Sequence, residues 1–210
     1  MSKVDAGPRQ ATGVLLAGGQ ARRMGGGDKC LRLLAGKPIL RHIIERVRPQ
    51  VDALVLNANG DPVRFDAFGL PVIADVIAGH AGPLAGILSG MEWARAHRPE
   101  TAWIVSIPTD TPFLPGDLVA RLAAAIDAEE ADLACAVTHG RTHPVIGLWP
   151  VGLAEALRQA MLDEEVRKID RFTGRYRTAE VTFPTEPFDP FFNTNRPEDL
   201  EEAERLFYHR

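Results

Sequence analysis

The sequence predicts an α/β protein: a mostly parallel central sheet with one antiparallel piece and helices on both faces, in three layers. Short apolar runs alternate with stretches of helical periodicity, as βαβ units require. The runs are apolar at nearly every position, as strands covered on both faces are. Three of them end in polar loops, at residues 18–29, 57–61 and 108–112. In such sheets ligands bind beyond the carboxyl ends of the strands, so the search for a site starts at these loops.

The elements follow in order. Residues 1–11 read as a mobile tail ahead of a single domain over 12–210. Gly13 to Ala17 is a short buried strand that runs into a glycine-rich loop ending at Lys29. Ile39, Leu40, Ile43, Ile44 and Val47 recur at helical spacing, with Pro38 suited to the first turn. Ala53–Leu56 and Pro71–Ala74 are strands, and a helix runs from about Leu84 to His97. Trp103–Ile107 is a strand that ends in Pro108-Thr109-Asp110-Thr111-Pro112. Leu118, Val119, Leu122 and Ile126 mark a helix, Leu133–Val137 a strand, and Pro144–Trp149 the antiparallel piece. Helices over 153–162 and about 164–171 precede a strand near Ala179–Phe183, and a charged helix begins at Pro197. There Arg196 makes a poor cap, while Glu198 and Asp199 suit the positive end of the helix dipole.

Composition narrows the function classes. The chain has 210 residues and a formal net charge of -4, which argues against bulk nucleic-acid or anionic-membrane binding. No apolar run approaches the ~18 residues of a membrane span, and no signal peptide is visible at the start. Cys30 and Cys135 lack zinc spacing and read as structural thiols of a reduced, cytoplasmic protein. The charge is uneven, however. Residues 20–50 hold eight Lys/Arg against two acids, a local excess of six positive charges that suggests one anionic ligand. Arg32, Lys37, Arg41, Arg46 and Arg48 read as a solvated helix face or as long-range attraction.

The loop Leu16-Ala17-Gly18-Gly19-Gln20-Ala21-Arg22-Arg23-Met24-Gly25-Gly26-Gly27-Asp28-Lys29 carries the most information. Its glycines let backbone N–H groups approach an anion, and Arg23 and Lys29 add charge for phosphate oxygens. It is neither a Walker A loop nor a GxGxxG fingerprint. Taken alone, a flexible basic loop is the competing reading. Asp110 alone also reads as a turn former, Asn57 as a strand-end turn and Asp75 as a cap. His139 and His143 bracket a predicted hairpin turn with no third ligand, which speaks for loop support or substrate contact rather than zinc.

Together these residues resemble the molybdenum cofactor guanylyltransferases, whose loop reads LAGGxxxRMGGxDK. Asn57-Ala58-Asn59, Asp75, Gly82-Pro83-Leu84-Ala85-Gly86, Asp110-Thr111-Pro112-Phe113, His143-Pro144 and Phe192-Asn193-Thr194-Asn195 are similar to further elements of that family, in the same order. The resemblance implies a Rossmann-like nucleotidyltransferase fold. It also implies transfer of GMP from GTP to the terminal phosphate of molybdopterin, with Mg2+ as cofactor. On this resemblance Leu16, Ala17, Gly18 and Gly19 approach guanine and ribose, Asn57 and Asp75 contact guanosine, and Gly82 and Gly86 bring backbone near the nucleotide. Arg23, Lys29 and Asp110 are the catalytic set: Arg23 and Lys29 hold the triphosphate and Asp110 binds Mg2+. Asn193, Asn195 and His143 face the molybdopterin side. Handover of the product to cofactor-insertion proteins or molybdoenzyme chaperones is implied as well. The alternatives are a molybdopterin cytidylyltransferase or other nucleotidyltransferase on the same fold, and a non-catalytic nucleotide-binding module.

Overall fold

A computed structural model of the chain describes residues 10–18, 28–79 and 82–208. Its main sheet has seven strands. They are β1 (Ala11–Leu16), β4 (Ala53–Asn57), β5 (Val72–Ile73), β6 (Trp103–Pro108), β7 (Leu133–Thr138), β8 (Arg141–Pro150) and β9 (Thr178–Thr182). The order across the sheet is β5-β4-β1-β6-β8-β7-β9. All pairings are parallel except those of β8, which runs antiparallel to both β6 and β7. The single antiparallel strand is thus where the sequence places it, although it extends three residues further towards the amino end.

Helices cover both faces. α1 (Ile39–Val47), α3 (Leu118–Glu129) and α6 (Pro197–Tyr208) pack on one; α2 (Pro83–His97), α4 (Ala154–Leu162) and α5 (Ile169–Thr173) pack on the other. Alternate strand residues feed the two layers: Leu15 enters the first and Val14 the second, both fully buried. The close approach of α2 to β1 depends on Gly90, where a Cβ would overlap the Val14 side chain. The buried Ser106 hydroxyl accepts from Trp149 Nε1 at 2.8 Å and donates to the Val145 carbonyl at 2.6 Å, so the polar groups between β6 and β8 are paired. Among the described residues no helix is long and apolar enough to cross a membrane.

Several sequence expectations need correction. β1 already begins at Ala11, which is fully buried and donates its N–H to Asp52, so Ala11 belongs to the sheet, while residues 1–9 of the expected tail lie outside the described residues. Pro38 precedes α1 instead of lying in its first turn. It belongs to β3 (Lys37–Pro38), which pairs with β2 (Leu33–Leu34) in a small hairpin that the apolar pattern did not suggest. The helix read over 164–171 is displaced. Residues 164–168 are not helical, Glu165 has a φ of 54°, and α5 starts only at Ile169. Arg41 and Arg46 are not simply solvated: Arg41 donates to the Ala67 carbonyl and lies over Phe68, and Arg46 donates to the Leu114 carbonyl.

Candidate active site

After β1 the chain adds β4 and β5 on one side, then crosses over to place β6 on the other. β1 is therefore the topological switch strand, and its carboxyl end opens into the crevice where such sheets bind nucleotides. Leu16↔Asn57 and Leu16↔Pro108 are register partners, so three of the singled-out loops leave the sheet side by side.

The β1 end is tied on both flanks. Ala17 donates its N–H to the Asn57 carbonyl at 2.8 Å. Thr109 donates its hydroxyl to the Leu16 carbonyl at 3.1 Å, so these groups of Leu16 and Ala17 are engaged within the protein. Gly18 is exposed, with open space where its Cβ would stand, and is the first backbone position free to face a ligand closely. Gly19 and Arg23 lie outside the described residues.

Beyond β4 stands a cluster of amides around one carboxylate. Asn57 Nδ2 donates to Asp75 Oδ1 at 3.0 Å, and Asn59 Nδ2 donates to Asp75 Oδ2 at 2.8 Å. The Asp75 N–H returns a bond to Asn59 Oδ1 at 2.9 Å. Asn57 is buried because α2 gives way beneath it. A Cβ on Gly86 would overlap Asn57 Oδ1 and come within 2.7 Å of Leu16 Cδ2. Gly86 is itself buried, so what this glycine visibly does is seat the Asn57 side chain. Gly82, by contrast, is exposed at the start of α2 with a φ of 145°, a conformation that side chains rarely adopt.

On the other flank, Asp110 follows β6. Burial pushes its carboxyl above the ordinary carboxylate value, while the Lys29 ammonium pulls in the opposite direction. Among the described residues its side-chain bond is long, 3.5 Å from the Thr111 hydroxyl. The Asp110 carbonyl accepts from both the N–H and the hydroxyl of Thr194, at 2.9 and 3.1 Å. Thr111 also donates to Asn193 Oδ1 at 2.9 Å, and Lys29 Nζ donates to Asn195 Oδ1 at 2.7 Å. Segment 193–195 is thereby drawn onto Lys29 and Asp110. Five expected site residues from distant parts of the chain (Lys29, Asp110, Asn193, Asn195 and, through Leu16, the β1 end) form one connected group.

His143 stands at the start of β8. Its Nε2 lies 2.7 Å from the Thr138 hydroxyl, which also reaches Asp189 Oδ2 at 3.2 Å. Burial lowers its pKa, opposed in part by Asp189 and aided by Arg141, which favours the neutral ring. The hairpin predicted here is present, its turn made by His139 and Gly140 at positive φ. Cys30 is buried, its thiol pushed up to about 12, and Cys135 is buried in β7, its thiol pushed up to about 11. Neither is a nucleophile near neutral pH.

The structure also ties to this group residues that the sequence did not single out: Asn59, Thr109, Thr111 and Arg64. Asn59 had a signal: it sits two residues beyond Asn57, on the same side of an extended segment. Thr109 and Thr111 flank Asp110, and the sequence gives neither a role of its own. A cavity of about 570 Å3 opens at the opposite end of the strands, among Trp103, Ile126, Glu130, Pro150, Leu153 and Tyr176. It shares no residue with this group.

Among the described residues no cluster of three or more His, Cys, Asp or Glu is gathered. Asp110 supplies one half-buried carboxylate of low hydrogen-bond satisfaction. That donor set suits a hard cation that takes its other ligands from phosphate and water, as Mg2+ does, and not a protein-caged zinc.

An open sheet with a glycine-rich sequence after β1, and with a lysine and strand-end carboxylates at its switch point, fits a nucleotidyltransferase. Residues 13–180 match the model of the MobA-like NTP transferase domain, and the chain belongs to that family. It is 60% identical over 194 residues to a molybdenum cofactor guanylyltransferase of Bradyrhizobium sp. (strain ORS 278), covering 92% of each chain. It is 58% identical over 193 residues to one of Rhodopseudomonas palustris (strain BisB5), again covering 92% of each. The fold matches the crystal structure of molybdopterin-guanine dinucleotide biosynthesis protein A from Archaeoglobus fulgidus with a TM-score of 0.74 at 22% identity, over 95% of this chain and 100% of that one.

Proposed function

We propose that this protein transfers GMP from GTP to the terminal phosphate of molybdopterin, giving the guanine dinucleotide cofactor and pyrophosphate. The observation that carries the reading is the convergence of Lys29, Asp110, Asn193 and Asn195 at the carboxyl edge beside Asn57 and Asp75, in a chain 60% identical to a protein named for that activity.

A molybdopterin phosphate oxygen attacks the α-phosphorus of GTP, and the bond to the bridging oxygen of the β-phosphate breaks. The attacking monoester has a second pKa of roughly 6, so it is already anionic and requires no general base. The difficulty is repulsion between two anions, which positioned cations relieve. Lys29 serves as the fixed phosphate ligand and Arg23 as a second. Asn57 and Asp75 lie on the guanosine side, and Gly18 and Gly19 admit the nucleotide to the backbone. Gly82 holds the turn into α2 and Gly86 seats Asn57. Asn193, Asn195 and His143 orient the pterin phosphate. Asp110 would hold Mg2+, which when bound supplies charge neutralisation at the phosphates. The two unpaired, buried cysteines support a reducing compartment. Product handover to cofactor-insertion proteins or molybdoenzyme chaperones belongs to the same reading.

Pyrophosphate release from GTP with molybdopterin and Mg2+ tests it. Release with GTP but only trace release with CTP is the expected result. Preference for CTP, or no release with authentic molybdopterin, overturns it.

A further inference from the structure

We propose that Asn59 and Arg64 form a positioning clamp for the nucleotide. Asn59 sets the Asp75 carboxylate, and Arg64 joins that side of the site to the Asp28–Lys29 segment. The inference rests on the reading that Asp75 faces guanosine.

Arg64 lies on a short 3-10 turn, Pro62–Phe68, whose start is capped by the Asp61 carboxylate accepting from the Val63 N–H at 3.0 Å. Phe65 of the same turn is buried, and the Arg64 guanidinium stacks over its ring with 4.5 Å to the centroid. The head group is therefore aimed by a fixed platform. It spends its donors in three directions: Nε to Asp28 Oδ2 at 2.6 Å, one terminal nitrogen to the Asn59 carbonyl at 2.7 Å, and the other to the Asp61 carbonyl. The ion pair with Asp28 is mostly shielded, the two side chains being 28% and 19% exposed.

Each end of this bridge adjoins a ligand of the nucleotide. Asp28 immediately precedes Lys29. Asn59 holds Asp75 by two reciprocal bonds, side chain to carboxylate and backbone N–H to side chain. A carboxylate otherwise rotates about its last torsion; bonds to both oxygens, from Asn57 and Asn59, fix its plane. A planar fork with several donors spans such a gap, whereas the point charge of a lysine does not. The phosphate-side and guanosine-side ligands come from segments 46 residues apart in sequence, Lys29 to Asp75. Arg64 ties them together through side chains that need not touch the substrate.

The test pairs GTP affinity, by calorimetry with Mg2+, with kcat from pyrophosphate release. Asn59→Asp keeps the shape but sets a carboxylate against Asp75. Arg64→Lys keeps the charge but loses the fork. Asn59→Asp is expected to weaken GTP about tenfold with kcat within about twofold, a loss on the scale of one charge-assisted hydrogen bond. Arg64→Lys is expected to weaken GTP by a similar factor and to lower kcat as well, because Asp28, the residue before Lys29, loses the fork that fixes it. Lys37→Gln, which removes only an exposed ion pair with Glu45, is the control and leaves both quantities unchanged. Asn59→Ser replaces Asn59→Asp if thermal unfolding shows that variant to be misfolded. GTP binding within twofold of the unaltered protein in both clamp variants, while Asp75→Ala binds poorly, overturns the clamp and leaves the guanosine-side assignment standing. Unaltered binding in Asp75→Ala removes that assignment and the clamp together.

Discussion

At Asp110, burial and charge pull in opposite directions. The carboxylate is desolvated, which raises its pKa, and among the described residues the Lys29 ammonium opposes the shift. Such a group costs stability in its ionised form. Because its folded-state pKa lies above the unfolded one, the folded protein binds the proton more tightly, and stability declines as pH rises through the interval between the two values. Asp110→Asn should therefore raise the melting temperature at pH 7. The gain should disappear below the ordinary carboxylate range, where both forms are neutral; an equal gain at every pH would refute the assignment. Turnover in the same variant should fall below detection at modest Mg2+, and near-normal activity would remove Asp110 from the metal role. Lys29→Ala should lower kcat by at least about a hundredfold if the ammonium meets charge that develops on the leaving pyrophosphate. A rise in KM alone would make Lys29 a binding residue only.

Two glycines of α2 separate packing from function at the level of the element. Gly90→Ala would overlap Val14, and Gly86→Ala would overlap Asn57. Both should cost about 1–3 kcal/mol as overpacked contacts. Only Gly86→Ala should also raise the KM for GTP, because it dislodges Asn57 from Asp75. Equal KM in the two variants would show that Asn57 has no part in binding. The last helix shows how a poor cap is replaced. Asp199 Oδ2 accepts from the backbone N–H groups of both Asn195 and Arg196, at 2.8 Å each. Asp199→Ala should cost about 1 kcal/mol, as lost caps do. It should also loosen Asn195, the partner of Lys29, and unfolding curves together with the pterin KM would register the two effects. The displaced α5 has a comparable origin. Periodicity over 164–171 is a helix signal, but Glu165 takes a left-handed φ and the Val166 N–H returns to the Ala160 carbonyl to end α4. A chain reversal of this kind depends on what it packs against and is weakly written in apolar spacing.

Across the whole molecule, the sequence by itself determined the alternation of strands and helices, the antiparallel strand, and the loops that matter. These are local matters: apolar runs four to six residues long, Gly and Pro punctuation, and a fourteen-residue motif that needs no neighbour to be recognised. Through the family resemblance it also singled out Lys29, Asp110, Asn57 and Asp75. Tertiary structure alone decided which of these residues meet. The strand order β5-β4-β1-β6-β8-β7-β9 brings the ends of β1, β4 and β6 together. The bond from Lys29 to Asn195 joins positions 166 residues apart, and Thr111 to Asn193 spans 82. No periodicity encodes such distances. Arg64 shows the same limit most plainly, since in sequence it is one arginine in a polar loop. Its role follows from three partners placed around it by the sheet and by the buried Phe65 beneath it, because a side chain's chemistry is local while its neighbours are set by packing.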